Sequence, residues 1–222
     1  MPLMQEYQQL KDQLRSQRDL FNQHHNTRLH RALSWLKAAS EQVEAGNEDQ
    51  AFINLWISFS ACFYVEGQAP VHGFLQQLVD MDKEKAIYDC LWHEYSGPVK
   101  ALIKNPYVFD PFWQYQRSQA EQKSGDENAE SQWRAEFDQS SIEALNCLSR
   151  EKVPELLAIV LDRLYVLRNQ VLQGGATYQS SVNREQVQDG VKLLASLMPI
   201  IIRIMLNAND QDWGELAYPV VN

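Results

Sequence analysis

The stretch AFINLWISFSACFYV, residues 51–65, decides the fold of this chain. Apolar side chains stand at nearly every position in it, so a helix formed here would have no polar face. A helix that is apolar all round is stable only when other helices surround it. The sequence therefore predicts a central helix over residues 49–65, packed inside a bundle.

Two amphipathic segments precede this central helix. From residue 29 to 43, apolar residues recur every three or four positions, which is the period of a helix. Asn26 or Thr27 is expected to cap that helix, and Gly46 to end it. Residues 5–22 predict a more polar helix within the N-terminal segment 1–25. Its thin apolar stripe must pack on the body of the domain or on a partner.

Two long segments of the same kind lie near the end of the sequence. Residues 153–173 carry a broad apolar face, and the pair Gly174-Gly175 is a strong signal for the end of a helix. Residues 184–208 repeat the pattern, with Pro199 expected to kink the helix. The chain has only nine glycines and eight prolines. Such sparse turn residues favour long helices over the many short turns of a β-protein.

The section from residue 70 to 135 has a weaker pattern. It contains two short helical stretches, an aromatic cluster between residues 107 and 115, and a polar run from 117 to 132. The cluster is expected to form a small satellite core, with base stacking as the alternative, and the polar run a solvated loop. The chain as a whole, residues 1–222, is predicted to be one all-α domain. Its architecture would be an irregular helical bundle with residues 70–135 as an inserted middle section of unknown role.

The charge balance limits the classes of function. With 20 basic and 29 acidic residues the formal net charge is −9, whereas a protein that binds nucleic acid over its whole surface is usually basic. A local basic patch remains compatible with this total. One candidate is the start of the second helix, where His24, His25 and His30 lie with Arg28 and Arg31. These histidines are expected to face solvent or to contribute to nucleic-acid binding.

No cofactor or metal site is indicated by the sequence. Cys62, Cys90 and Cys147 are far apart and lack a CxxC spacing, so buried reduced thiols are expected. The N-terminus has no apolar signal-peptide core. The longest apolar run, 193–206, is interrupted by polar residues and is too short to span a bilayer. These features predict a cytoplasmic protein without a membrane segment.

The candidate functional residues lie in LYVLRNQVLQGGAT, residues 164–177. Arg168 and Asn169 stand near the end of a long apolar helix, and Gln173 follows one turn after Asn169. Three polar side chains therefore meet on the last turn of a helix that is otherwise buried. A simpler interpretation is that Arg168 and Asn169 only bond the terminal carbonyl groups of their helix.

This motif resembles the Arg-Asn-x-x-x-His signature of the HEPN superfamily, which is often followed by glycines. Two other stretches are similar to core helices of that family and occur in the family's order. They are LHRALSWLKAASE at 29–41 and AFINLWISFSACFYVEG at 51–67. Together with the last helix, the matching stretches cover roughly half of the chain. Residues 70–135 are not explained by the resemblance.

The resemblance implies a metal-independent endoribonuclease that works as a homodimer. In active members, two motif-bearing helices meet and cleave single-stranded RNA: the histidine is the general acid/base, and the arginine stabilises charge on the phosphate. Carried over to this chain, Arg168 would stabilise the phosphate, Asn169 would orient it, and the pair Gly174-Gly175 would allow its close approach. Many members are toxins or abortive-infection proteins that are paired with an antitoxin protein.

The chain departs from the signature at its most important position. Gln173 stands where the histidine belongs, and a carboxamide does not exchange a proton near pH 7. One hypothesis is a nuclease of the toxin or phage-defence kind that is inactive or strongly impaired in this form. The alternative is a non-catalytic HEPN module that dimerises and binds RNA, a nucleotide or a protein partner. In either case Arg163 and Arg184 are expected to add positive charge around Arg168 and to bind RNA.

Overall fold

The computed structural model describes residues 1–63, 71–121, 127–181 and 183–221. Within these ranges the chain folds into ten α-helices without a strand and is 79% helical, so the all-α prediction is confirmed. In chain order the helices are α1 (Leu3–Ser16), α2 (Gln23–Glu44), α3 (Glu48–Phe63), α4 (Val71–Met81), α5 (Ala86–Asp89), α6 (Ser96–Ile103), α7 (Asp110–Ala120), α8 (Glu127–Ser149), α9 (Val153–Leu172) and α10 (Arg184–Asn207).

Helix α3 occupies the centre of the bundle, as its apolar composition predicts. Phe52 and Leu55 are fully buried, and α3 packs on α2, α9 and α10. Gly190 of α10 makes one of these approaches close, because a Cβ atom there would lie only 2.9 Å from Cε2 of Phe52. The last two residues of the predicted helix, 64 and 65, lie outside the described ranges.

The N-terminal helices differ from the prediction at their ends. The expected helix over 5–22 is broken, because α1 ends at Ser16 and Arg18–Leu20 form a separate 3-10 turn. Helix α2 begins before Asn26 and Thr27, so the predicted cap is wrong. Asn22 caps the helix instead: its backbone is extended and its Oδ1 accepts the N–H of His25 at 2.8 Å. The first turn of α2 is mostly polar, and for that reason apolar periodicity did not reveal it.

The polar run from 117 to 132 was expected to be a loop, and that prediction is wrong for most of its length. Helix α7 continues to Ala120 and α8 has begun by residue 127, while residues 122–126 lie outside the described ranges. Glu, Gln, Arg and Ala are good helix formers even where no apolar stripe marks the helix. One aromatic contact anchors the two helices, since the rings of Phe112 and Trp133 lie 5.2 Å apart.

The C-terminal segment, residues 208–221, has no helix and lies over α2. The guanidinium group of Arg28, which is 1% exposed, donates to the carbonyl oxygens of Cys62 and Glu215 at 3.1 Å each. His25 is 2% exposed and lies against Trp213. The expectations that His25 faces solvent and that Arg28 serves nucleic-acid binding are therefore wrong. Both residues lie on the apolar face of α2 and join the core.

The three cysteines are free and buried, as predicted. Burial raises the pKa of the Cys62 and Cys90 thiols to about 12. Both thiols are therefore neutral at physiological pH and poor nucleophiles. None of the helices in the described parts of the chain combines the length and the apolar character that a bilayer crossing needs.

Candidate functional site

Helix α9 ends in a Schellman motif built by the two glycines. The N–H of Gly175 donates to the carbonyl oxygen of Gln170 at 2.8 Å, and the N–H of Gly174 donates to that of Val171 at 3.5 Å. Gly174 adopts a φ of +69°, which disfavours a residue with a side chain. The glycine pair therefore stops α9 directly after Gln173 and turns the chain away from the end of the helix.

Arg168 lies near this end of α9 and contacts two neighbouring side chains. It is half-buried, its Nη1 donates to Oδ1 of Asn169 at 2.9 Å, and its guanidinium carbon lies 5.9 Å from the centroid of the Tyr165 ring. Its Nε is buried and has no hydrogen-bond partner among the described residues. A buried donor without a partner costs about 1–3 kcal/mol. The Nε atoms of Arg28 and Arg163 are in the same state, so this atom alone does not mark a ligand site.

Asn169 contacts Arg168, and Gln173 follows one turn after Asn169. Asn169 is half-buried and Gln173 is exposed, and the N–H of Gln173 donates to the carbonyl oxygen of Asn169 at 2.9 Å. The side chains of Arg168 and Asn169 bond each other rather than the terminal carbonyl groups of α9. The simpler interpretation, in which they only complete the end of the helix, therefore does not describe their contacts.

Arg163 lies in the interior, away from the solvent-facing side of α9. It is 3% exposed, its Nη2 donates to Oγ of Ser140 at 2.9 Å, and its guanidinium carbon lies 4.3 Å from the centroid of the Phe109 ring and 5.5 Å from that of Phe137. Burial lowers the pKa of Arg163 to about 10. Its charge is held between aromatic rings in the satellite core, so we no longer assign it to an RNA-binding surface.

Arg184 faces a cleft but is already paired with two carboxylates. Its Nη1 lies 2.9 Å from Oδ1 of Asp49 and 3.3 Å from Oε2 of Glu48. Hydrogen bonding to Asp49 raises the pKa of Arg184. The expected gain of positive charge around Arg168 is therefore reduced, because two acidic groups accompany this one cation.

The cleft beside Arg184 has a volume of about 400 Å³ and lies between α3, the end of α9 and the start of α10. Gln170 lines it and is held in place from two sides: its Nε2 donates to the carbonyl oxygen of Tyr107 at 2.6 Å, and its Oε1 accepts from Asn183 at 2.8 Å. Gln170 thus ties the motif helix to the middle section and to α10. Arg168 and Gln173 do not line this cleft.

Two apolar side chains flank the motif and were not singled out from the sequence. Tyr165 and Leu172 are each 50% exposed. With Arg168 and Asn169 they occupy positions i, i+3, i+4 and i+7 of α9, which place all four on one face. The i+7 spacing of Tyr165 and Leu172 was a signal available in the sequence. Together they give the motif face an apolar part that contact with a partner molecule would bury.

The described residues contain no group of three or more His, Cys, Asp or Glu side chains placed to share a metal ion. No protein-family model, curated protein or solved structure matches this chain.

Proposed function

We propose that this chain is an endoribonuclease of the HEPN kind whose cleaving activity is lost or strongly reduced by Gln173. The observation that supports it best is the state of Arg168. Its guanidinium group is half-buried, and Asn169 and Tyr165 hold it beside the end of α9. A phosphate group fits the positive charge and the terminal N–H groups of such a guanidinium.

The proposed chemistry assigns one role to each side chain. Arg168 stabilises the negative charge that develops on the phosphate, and Asn169 holds the guanidinium group through its Oδ1. Gln173 occupies the acid/base position one turn away, exposed and within the same end of the helix. Because an amide has no proton to exchange near pH 7, the acid/base step is missing. The loss of such a group typically costs about 10²–10⁴-fold in rate.

The proposed nuclease works as a two-fold dimer. A single end of α9 offers one guanidinium group and two carboxamides, and a symmetric copy doubles this set. The half-exposed side chains of Tyr165 and Leu172 flank the motif and favour contact with a second copy. If the nuclease is a toxin, its further partner would be an antitoxin protein that covers or blocks the same face.

A second candidate function is a non-catalytic module that dimerises and binds RNA, a nucleotide or a protein partner. Two features favour this module. Tyr165 and Leu172 give the motif face apolar side chains for a partner to cover, and binding, unlike cleavage, needs no acid/base group at Gln173. The two candidates differ in one respect. In the impaired nuclease, a single imidazole at position 173 would restore cleavage by the site around Arg168. In the binding module it would not.

The growth of cells that express Gln173→His tests the proposal. We expect the variant to slow growth, while the unchanged chain and the double variant Arg168→Ala/Gln173→His do not. The double variant is the control for folding and for the mere presence of the imidazole. If Gln173→His is expressed at the same level, remains folded and dimeric, and leaves growth unchanged, the binding module replaces the nuclease as the preferred function.

A further inference from the structure

A groove lined by basic residues lies between α1 and the first half of α2. We call it the basic groove. Its volume is about 630 Å³, and Lys11, Arg15, Arg18, His30 and Lys37 line it without any acidic residue. Four of the chain's 20 Lys and Arg residues thus face one groove in a protein whose net charge is −9. The positive charge of the groove is opposite in sign to the net charge of the chain, and it favours binding of an anionic ligand.

The basic side chains form two rows, one on each wall. Lys11 and Arg15 are one turn apart in α1, and Arg18 follows in the 3-10 turn after that helix; His30 and Lys37 are seven residues apart in α2. At about 1.5 Å of rise per residue, the row on α2 extends over roughly 10 Å. A single phosphate group would reach only part of either row. The two rows therefore favour an extended polyanion that lies along the groove.

The charges of the groove are largely available to a ligand. Arg18 is exposed and makes no hydrogen bond or ion pair through its side chain within the described residues. Arg15 meets Asp12 at 3.4 Å and Lys37 meets Glu41 at 3.2 Å, but all four side chains are about half exposed or more. Exposed pairs of this kind contribute about 0–1 kcal/mol. A ligand phosphate can therefore replace them at low cost.

Fixed and neutral groups complete the groove. Nζ of Lys11 donates to the hydroxyl oxygen of Tyr7 at 2.7 Å, which holds this ammonium group on the wall. Asn26, Thr27 and Ser34 also line the groove and offer hydrogen bonds without charge. Such groups suit sugar hydroxyl and phosphate oxygens between the points of ionic contact.

We propose that the basic groove binds the sugar-phosphate chain of single-stranded nucleic acid. A strand carries a phosphate at each nucleotide and is narrow enough to enter between two helices. Cations on both walls then contact successive phosphates. This site is separate from the end of α9, since every basic residue that lines it belongs to α1, α2 or the turn Arg18–Leu20. It does not require the chain to cleave RNA.

Fluorescence anisotropy of a labelled oligouridylate, measured over a series of salt concentrations, tests the groove. The variant is Arg15→Gln/Arg18→Gln in the full chain. The matched control, Lys104→Gln/Arg150→Gln, removes the same charge from two exposed positions that do not line the groove. Each lost phosphate contact lowers the slope of log K against log salt by about 0.7. We therefore expect the groove variant to lose about 1.4 in slope and about tenfold or more in affinity near 0.1 M salt.

Three comparisons decide the outcome. An equal loss in the groove variant and in its control, or no loss in either, overturns the proposal. The same is true if binding is lost in Arg168→Ala but kept in the groove variant, since the strand then lies on α9. Circular dichroism of each variant confirms that the helices are intact.

Three further probes distinguish a nucleic-acid strand from other anionic ligands. Oligothymidylate is expected to bind in the same groove, because the sugar-phosphate chain carries the recognition. ATP and polyglutamate are expected to compete only weakly. If ATP binds and the oligonucleotides do not, or if polyglutamate displaces the oligonucleotides at equal charge concentration, the assignment to a nucleic-acid strand is wrong.

Discussion

Gly190 of α10 offers a quantitative test of the packing that holds the motif helix. A Cβ atom at this position would lie 2.9 Å from Cε2 of Phe52 in α3 and 3.2 Å from Cδ2 of Leu164 in α9. Both neighbours are fully buried. Gly190→Ala therefore forces buried side chains to shift, and overpacking of this kind costs about 1–3 kcal/mol. Alanine recovers about 1 kcal/mol because it is the better helix former.

The control for helix propensity is Gly73→Ala in α4. Gly73 is exposed, and apart from its chain neighbours a Cβ atom there meets no other atom within 4 Å. This variant changes helix propensity without a packing cost, so the difference between the two variants reports the packing cost of about 1–3 kcal/mol. At the size of this chain, each kcal/mol shifts the midpoint of thermal unfolding by about 2–4 °C. If Gly190→Ala unfolds at the same temperature as Gly73→Ala, α10 does not lie this close to α3 and α9.

Three buried groups carry further predictions. Burial, and secondarily the charge of Arg28, lowers the pKa of His25 from 6.5 to about 4. The unfolded chain thus binds a proton between these values that the folded chain does not. The free energy of unfolding therefore decreases as the pH is lowered through this window, by up to about 1.4 kcal/mol per pH unit. Chemical unfolding of His25→Leu and of the unchanged chain at pH 7 and pH 5 measures that difference. Arg28→Met leaves carbonyl groups without donors, so we expect a loss of about 1–3 kcal/mol and faster proteolysis of residues 208–221. Arg163→Met keeps the contacts with the aromatic rings. Because Arg163 is 3% exposed, we expect the RNA affinity of this variant to stay within about twofold of the unchanged chain. A larger loss, measured by fluorescence anisotropy, would mean that Arg163 contributes to RNA binding.

The central helices were predictable because their sequences are strongly apolar and repeat with the period of a helix. The all-round apolar stretch at 51–65 became α3, and the repeats over 153–173 and 184–208 became α9 and α10 almost to their ends. The polar helices were not predictable in the same way. Residues 117–132 have few apolar side chains and therefore no period to detect, yet helix propensity and the contact between Phe112 and Trp133 order much of that section.

The candidate site was predictable where it depended on neighbours within one helix. Arg168, Asn169 and Gln173 lie close together in the sequence of one helix end, and the glycine pair specifies the end of α9 by local geometry alone. The prediction that Arg163 binds RNA was wrong, although its spacing carried the opposite signal. It lies three residues after Val160 and four before Leu167, which places it on the buried stripe that both occupy.

Contacts between distant segments were beyond the sequence. The ion pair between Asp49 and Arg184 joins positions 135 residues apart, and no periodicity reports such a pairing. The basic groove likewise depends on the packing of segments that are separate in the sequence. The spacing of Lys11 and Arg15 and that of His30 and Lys37 are visible in the chain, but only the packing of α1 on α2 brings the two rows to opposite walls.

The most direct test of the central claim is the rate of RNA cleavage by purified Gln173→His. The controls are the unchanged chain, Arg168→Ala/Gln173→His, and Gln116→His, which makes the same substitution at an exposed glutamine of α7. We expect a rate about 10²–10⁴-fold above that of the unchanged chain, product ends carrying 2′,3′-cyclic phosphate and 5′-hydroxyl groups, and no gain in either control variant. A folded, dimeric Gln173→His protein that cleaves no faster than Gln116→His would contradict it.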